Sequence, residues 1–455
     1  MKFSRRQVLS GIAGLGVVGL GAGSARYWLG RPLTATTHDY ELIAAPFDLE
    51  LVPGHRTPAW GYNGLVPGVE LRARQGDWLR VRFINRLDQE TTIHWHGIRL
   101  PLEMDGVPYV SQAPVLPGEY FDYQFRVPDA GSYWYHPHTT SSEQLGRGLV
   151  GPLIVEEREP TGFNHERVLN LKTWHVDKQG AFTAFSVPRE AAREGTRGRL
   201  TTINGHSVPT IELPIGQVVR LRLLNLDNTV TYRLNLPDVD ARIYAIDGNP
   251  ITPRALEDDY WLGPGMRLDL AVRMADDSIK PLKNGPLRLA SLQGVPADPN
   301  AGAPWPPALP PNPIPEPDLD KAELLRFNFE WSATLASGSD RGPAKYWQIN
   351  GQAWDINDKS CADRPIATLK KNGHYIFELR NMAQYFHPIH LHGMSFKVIS
   401  SNRRKIEPYF TDTYLLGKNE TARVAFVADN PGVWMFHCHV IDHMETGLMA
   451  AIAVV

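Results

Sequence analysis

An all-β fold of three tandem β-sandwich domains is what this sequence predicts. Three observations carry that expectation. A pattern opening on Asn-Gly recurs at residues 63, 204 and 350, spacings of 141 and 146 residues, and self-similarity at a nearly fixed period marks tandem copies of one unit. Each copy closes on a run that alternates apolar and polar residues, the period of a strand with one face in a core. The chain also carries 37 prolines and 39 glycines in 455 residues, a loop-rich composition that suits many short strands bracketed by turns.

The elements follow in chain order. MKFSRRQVLS places Arg5 and Arg6 after Ser4, ahead of a Gly-rich, mildly apolar stretch from Val8 to about Gly23. Paired arginines before a modest apolar run read as a twin-arginine export signal. Chance arginines before a short anchor helix are the alternative, but the stretch is short and glycine-rich for a spanning helix. Residues 1–25 are assigned to this segment, which implies the twin-arginine export machinery as a partner and a periplasmic or extracellular protein. The first domain, 38–157, contains NGLVPGVELRARQGDWLRVRFIN, where Leu79, Val81 and Phe83 face one way and Arg80 and Arg82 the other. The second domain, 164–293, repeats this with Val219, Leu221 and Leu223 inward and Arg220 and Arg222 outward. Residues 294–320 form a linker, stiff because ten prolines fall within 294–318 and exclude both helix and central strand. The third domain, 321–455, has Tyr375, Phe377 and Leu379 in the matching strand.

Composition narrows the function. Hydrophobic residues at 42% and charged residues at 21% allow a sizeable core. A formal net charge of −2, with no long basic run beyond the N-terminus, argues against a nucleic-acid partner, and a monomer is expected. Cys361 and Cys438, the two cysteines, could make at most one disulfide, so the fold does not depend on one. A free buried thiol is the plain expectation for Cys361.

The histidines are not scattered. Nine residues past the strand-ending Asn85 comes His94, in HWHG; nine past Asn381 comes His390, in HLHG; nine past Asn225 comes Leu234. The ends of the copies behave alike, with AGSYWYHPH at 130–138 and PGVWMFHCH at 431–439. One His-x-His pair occurs by chance on many exposed strands. Four pairs at two equivalent positions, in the first and third of three repeats, point to metal. The middle copy, without ligands, reads as a spacer. His38, His55, His165, His175, His206 and His374 fall outside these motifs and read as surface, satisfied core or supporting residues.

In a strand, residues i and i+2 share a face, so each His-x-His presents two imidazoles side by side. Eight imidazoles suffice for about three metal ions with positions left open, provided that the first and third domains touch. In His437-Cys438-His439 the thiol points to the opposite face, and two short covalent paths join a metal on Cys438 to the histidine cluster. A thiolate with two imidazoles and a weak or absent axial ligand is the trigonal blue-copper arrangement, with His443 as one imidazole and His387 in HPIHLHG as the other. Zinc favours closed tetrahedral or carboxylate-containing sites, and no carboxylate lies among the ligand pairs.

With HWHG, HPH, HPIHLHG and HCHVIDH all present, nearly the whole mature chain resembles the multicopper oxidases. The resemblance implies three Greek-key cupredoxin domains, four copper ions (one type 1, one type 2, two type 3), and one-electron oxidation of a small reducing substrate coupled to reduction of O2 to water. It also implies ligand sets: His387, Cys438 and His443 for type 1; His94 and His390 for type 2; His96, His136, His138, His392, His437 and His439 for the type 3 pair. Asp105, nine past His96, matches the acid that helps deliver protons to oxygen; otherwise it is a turn residue in MDGVP. Three departures stand out. Leu448 occupies the position ten after the cysteine, where bacterial members often have methionine, and Met449 is displaced by one. Met444 replaces a glutamate after the last type 1 histidine, with Glu445 one further on and its part in proton transfer left open. No methionine-rich insert exists among the nine methionines. The reading is a laccase-like oxidase of phenols or aromatic amines. Its rivals are a metallo-oxidase acting on Cu(I), Fe(II) or Mn(II), and a copper-free exported scaffold, which would have eroded ligands.

Overall fold

Each Asn-Gly pair turns in the left-handed region, Asn63-Gly64, Asn204-Gly205 and Asn350-Gly351 all having positive φ, the conformation that tight hairpin turns demand and that these residues tolerate best. The asparagine side chain then stitches the turn to the neighbouring strand in the same way three times. Asn63 Oδ1 accepts from the Ile43 amide and its Nδ2 donates to the Glu41 carbonyl; Asn204 does so with Asn170 and Val168, and Asn350 with Asn328 and Arg326. The strand-ending asparagines are equally uniform. Asn85, Asn225 and Asn381 each donate two hydrogen bonds to loop carbonyls and accept one from the amide two residues on. Buried amides of this kind must be satisfied, and here they fix the loop that leads to His94 and His390.

The computed structural model describes residues 35–297, 304–332, 345–354 and 361–455. The export segment read at 1–25 lies outside them, as does the side chain of Cys361. Each repeat contributes two sheets: four and four strands in the first, six and five in the second, six and five in the third. The sheets are mixed. Thr37–Val52 runs parallel to Trp78–Asn85, His165–Trp174 to Val218–Asn225, and Glu323–Trp331 to His374–Asn381. Leu79, Val81 and Phe83 are fully buried against Trp95, Tyr123 and Phe125; Phe377 packs on Phe436 in the third copy. Among the described residues no helix is long and apolar enough to cross a membrane.

Two expectations need correction. Arg220 and Arg222 do leave the core face of their strand, but they are 2% and 1% exposed. Arg220 pairs with Asp269 at 2.6 Å and Glu157 at 2.7 Å; Arg222 pairs with Glu166 at 2.9 Å and Asp269 at 3.2 Å and donates to Ser132 Oγ. Period-two alternation tells which face a residue occupies, not whether another domain covers that face; here the first sandwich does. The middle domain is accordingly more than a spacer, and its own residues reach the histidine cluster.

The linker, described from residue 304, holds no helix or strand through 318 and is tied down along its course. Tyr244 donates its hydroxyl hydrogen to the Pro306 carbonyl at 2.7 Å, Trp305 lies under Arg242 and Arg273, and Asn312 bonds the backbone of Ala130 and Gly248.

Candidate metal centre

Strand register brings the four histidine pairs together. His94 lies opposite His136 in the first domain, and His390 opposite His437 in the third, the same cross-strand pairing in two copies. The two domains then meet ring on ring: His94 stacks on His392 and His96 on His390, each with centroids 3.9 Å apart. All eight imidazoles are buried to 2% exposure or less. Ligand atoms converge in the groups His96, His136, His439; His390, His392, His437; His94, His138, His392; and His94, His96, His390. The first of these and the trio of His138, His392 and His437, whose rings contact one another, lie on either side of the interface between the domains.

The ring nitrogens show a division of labour. His94 Nδ1 faces the Asp105 carbonyl at 2.9 Å, His136 Nδ1 that of Pro137, His390 Nδ1 that of Asp412 and His437 Nδ1 that of Cys438. In each case one nitrogen is held by the protein, and the Nε2 atoms of His94, His136 and His390 have no hydrogen-bond partner. His96 is reversed: Nε2 faces Thr413 Oγ1 at 3.1 Å and Nδ1 is unpartnered. The Nε2 atoms of His392 and His437 point at each other across 3.0 Å. Buried polar atoms without partners are costly, and oriented imidazoles whose second nitrogen is fixed by the protein are how histidine ligands are prepared. The residues fit a metal cluster. Burial, with mutual repulsion among the rings, holds His96, His136, His138, His392 and His439 well below the ordinary imidazole range, and burial takes His437 down to about 3, so the rings are neutral and their lone pairs free for coordination.

Cys438 closes the Gly432–Cys438 strand, with its thiol turned away from the cluster. His387 Nδ1 and His443 Nδ1 each lie 3.6 Å from Cys438 Sγ and 3.1 Å from each other. The Val440 amide donates to the sulfur at 3.4 Å. Burial pushes the thiol up and His443 down to about 3; a bound cation reverses the first effect, since a coordinating thiol is deprotonated. Leu448 is fully buried in the same apolar cluster as Cys438, and its carbonyl accepts the Cys438 amide at 3.0 Å. Met449 packs with Trp134, Met435 and Met444 in a separate cluster. One sulfur and two imidazoles with leucine alongside is a donor set that suits copper in trigonal geometry.

Asp105 is brought to the cluster rather than left on a surface turn. It is 1% exposed, with Oδ2 at 3.0 Å from His392 Nδ1 and Oδ1 at 3.2 Å from His94 Nδ1. The turn after it requires Gly106, at φ +77°, where a Cβ would sit 1.7 Å from the Ile93 carbonyl oxygen. A second carboxylate escaped the sequence reading. Asp412 Oδ1 lies 3.2 Å from His96 Nε2 and 3.4 Å from His390 Nδ1, and Arg267 of the middle domain grips both its oxygens at 2.8 and 2.6 Å. Burial alone would raise the Asp412 carboxyl, but the Arg267 guanidinium outweighs it and holds the group well below the usual carboxylate range. The middle domain also offers Gly265, where a Cβ would stand 2.8 Å from His439 and 3.0 Å from His96. No sequence signal marked Asp412 or Arg267, because both depend on pairing between domains.

Above Cys438 the middle domain forms a cover. His443 Nε2 faces the Arg193 carbonyl at 2.7 Å, and Trp347 packs on both His387 and His443 while donating its indole N–H to the Ala191 carbonyl. Both imidazoles are fully buried. Glu445 turns to the helix Ser141–Arg147, accepting from the Ser142 amide at 2.9 Å and from its hydroxyl at 2.5 Å; burial raises its carboxyl. Of the six remaining histidines, His175 is buried, its Nε2 facing the Thr196 carbonyl, and His374 accepts the Asp318 amide.

Comparison with known proteins agrees with this geometry. Two stretches, residues 48–160 and 333–455, match family models described as multicopper oxidase. A crystal structure of a multi-copper oxidase from Pseudomonas thermotolerans is 73% identical, covers 93% of this chain and 100% of its own, and superposes with a TM-score of 0.88. A metallo-oxidase from Campylobacter jejuni is 25% identical, with 92% and 91% covered and a TM-score of 0.79. Multicopper oxidase MmcO of Mycobacterium tuberculosis is 29% identical over 96% of this chain and 90% of its own length.

Proposed function

The chain belongs to the multicopper oxidases, oxidoreductases that use O2, and from that premise we propose that it is an exported, laccase-like member oxidising phenols or aromatic amines one electron at a time. The observation that carries this reading is the Cys438 site, where Leu448 packs and no methionine sulfur approaches. Leucine cannot coordinate, and loss of a weak axial donor favours Cu(I) over Cu(II), which raises the potential and suits organic donors. The scarcity of methionine, nine scattered residues, leaves no soft-ligand surface for Cu(I).

In this reading His387, Cys438 and His443 hold the type 1 copper, His94 and His390 the type 2, and the two trios His96, His136, His439 and His138, His392, His437 the type 3 pair, four ions in all. Copper supplies stepwise electron acceptance from the donor and delivery to O2. The protein does the rest. Cys438 is bonded through the backbone to His437 and His439, so the two metal sites are joined by the shortest covalent route the chain offers. Asp105 orients His392 and His94 and holds a carboxyl beside the place where oxygen must take up protons. Asp412, fixed by Arg267, orients His96 and His390 from the other side. The twin-arginine segment would take the folded, metal-loaded monomer out of the cytoplasm; fractionation of cells expressing Arg5→Lys, Arg6→Lys against the parent tests this, retention of the variant in the cytoplasm being the expected result.

One observation favours a second reading, a metallo-oxidase. His387 and His443 are fully buried and His443 is capped by the Arg193 carbonyl, so no organic ring touches either imidazole. Oxygen uptake by the copper-loaded protein with a methoxyphenol and with Cu(I) in parallel separates the two. Fast turnover of the phenol without added copper is expected; turnover of Cu(I) alone would assign the metallo-oxidase activity instead.

A further inference from the structure

The burial of both imidazoles leaves a donor without direct access to them, and the fold offers another approach. A cavity of about 650 Å³ lies between the second and third domains, walled by Tyr260, Trp261, Tyr409, Phe410, Arg254 and Arg404 among others. Its size falls in the range of small-molecule sites. Trp261 is 42% exposed, an unusual position for so large an apolar ring. On its inner side it stacks on Phe386, with ring centroids 5.3 Å apart and planes 28° from parallel. Phe386 is the residue directly before His387. The contact is tight along its length: at Gly263, two residues past Trp261, a Cβ would lie 3.2 Å from Pro388 Cβ and 2.9 Å from Leu415.

We propose that this cavity is the docking site for one-ring phenol or aromatic amine donors, with Trp261 as the stacking platform and Phe386 as the link to His387. The proposal rests on the laccase-like reading above and goes beyond it by naming where the donor binds. Aromatic rings stack offset on one another, and a donor on Trp261 continues a row of π-systems that ends at the type 1 ligand. The donor loses one electron through Trp261 and Phe386 toward His387, and its phenolic proton leaves to water or to the rim carboxylate Glu257. Four donors, each released as a neutral radical, reduce one O2 to two waters.

The test uses the copper-loaded chain and two probes, a dimethoxyphenol and its fully methylated ether, which stacks alike but has no phenolic hydrogen to lose. Calorimetry measures binding of the ether, and anaerobic stopped-flow measures bleaching of the blue band by the phenol. Trp261→Leu should weaken ether binding about tenfold, the size of a lost aromatic stack, and slow bleaching at low phenol in proportion. Trp261→Phe should retain most of both. Trp78→Leu, at an exposed tryptophan of the first domain, should change neither. Equal binding and bleaching in the parent and Trp261→Leu would overturn the docking site and leave the laccase-like reading standing. A parent that neither binds the ether nor is bleached by the phenol, yet is bleached by Cu(I), would overturn both.

Discussion

Glu166 bridges Arg72 of the first domain and Arg222 of the second, at 2.5 and 2.9 Å, and its replacement gives a stability effect whose size can be worked out. Burial by itself raises this carboxyl, but Arg222 and Arg72 outweigh it and hold it down to about 2 against an ordinary 4.5. At ~1.4 kcal/mol per unit, the ionised form stabilises the folded chain by roughly 3 kcal/mol at pH 7. The side chain is 27% exposed, and screening trims this toward ~2 kcal/mol. A depressed carboxyl contributes stability that is complete above about pH 4.5 and is lost as pH falls toward 2. Glu166→Gln should therefore destabilise the protein by ~2–3 kcal/mol at pH 7, and the gap to the parent should narrow by more than half by pH 3. Urea unfolding followed by tryptophan fluorescence at pH 7, 5, 4 and 3 measures it. A gap that stays constant across this range, or widens in acid, would refute the argument that the two arginines hold the carboxylate charged at the domain interface.

Three further outcomes are expected. Cys438→Ser should remove the blue absorption and reduce turnover to background while the type 3 pair stays occupied, as read by copper content and near-ultraviolet absorption; full activity in this variant would refute the electron route through the thiolate. Leu448→Met should lower the type 1 potential by on the order of 60 mV, a tenfold change in a one-electron equilibrium, in a redox titration of the blue band; an unchanged or higher potential would exclude Leu448 from the axial position. Asp105→Asn should slow reoxidation of the reduced enzyme by O2 about 100-fold, the lower end of general-acid contributions, while anaerobic reduction of the blue copper keeps its rate; equal slowing of both steps would count against a proton role.

Local residue chemistry and spacing by themselves determined the repeated unit and the ligand inventory. Asn-Gly demands a turn wherever it sits, period-two alternation demands a strand with one buried face, and His-x-His on a strand demands two imidazoles on one side, so the positions of His94, His96, His136, His138, His390, His392, His437 and His439 within their copies were legible without a structure. The placement of Cys438 on the far face followed from the same parity. What only the tertiary structure decided is everything that depends on which faces meet. Arg220 and Arg222 look solvent-exposed by alternation and are buried because the first sandwich covers their sheet. Asp412 and Arg267 lie 145 residues apart in different domains, and no periodicity connects them, yet together they orient His96 and His390. The cover over His443 and the stack of Trp261 on Phe386 arise from the middle domain, which carries no ligand histidine and so left no mark in the motif pattern. Local rules act over a turn or a strand, whereas the contacts that shape access, charge and orientation at this site are made between domains, where the sequence separation is large and the only information is shape.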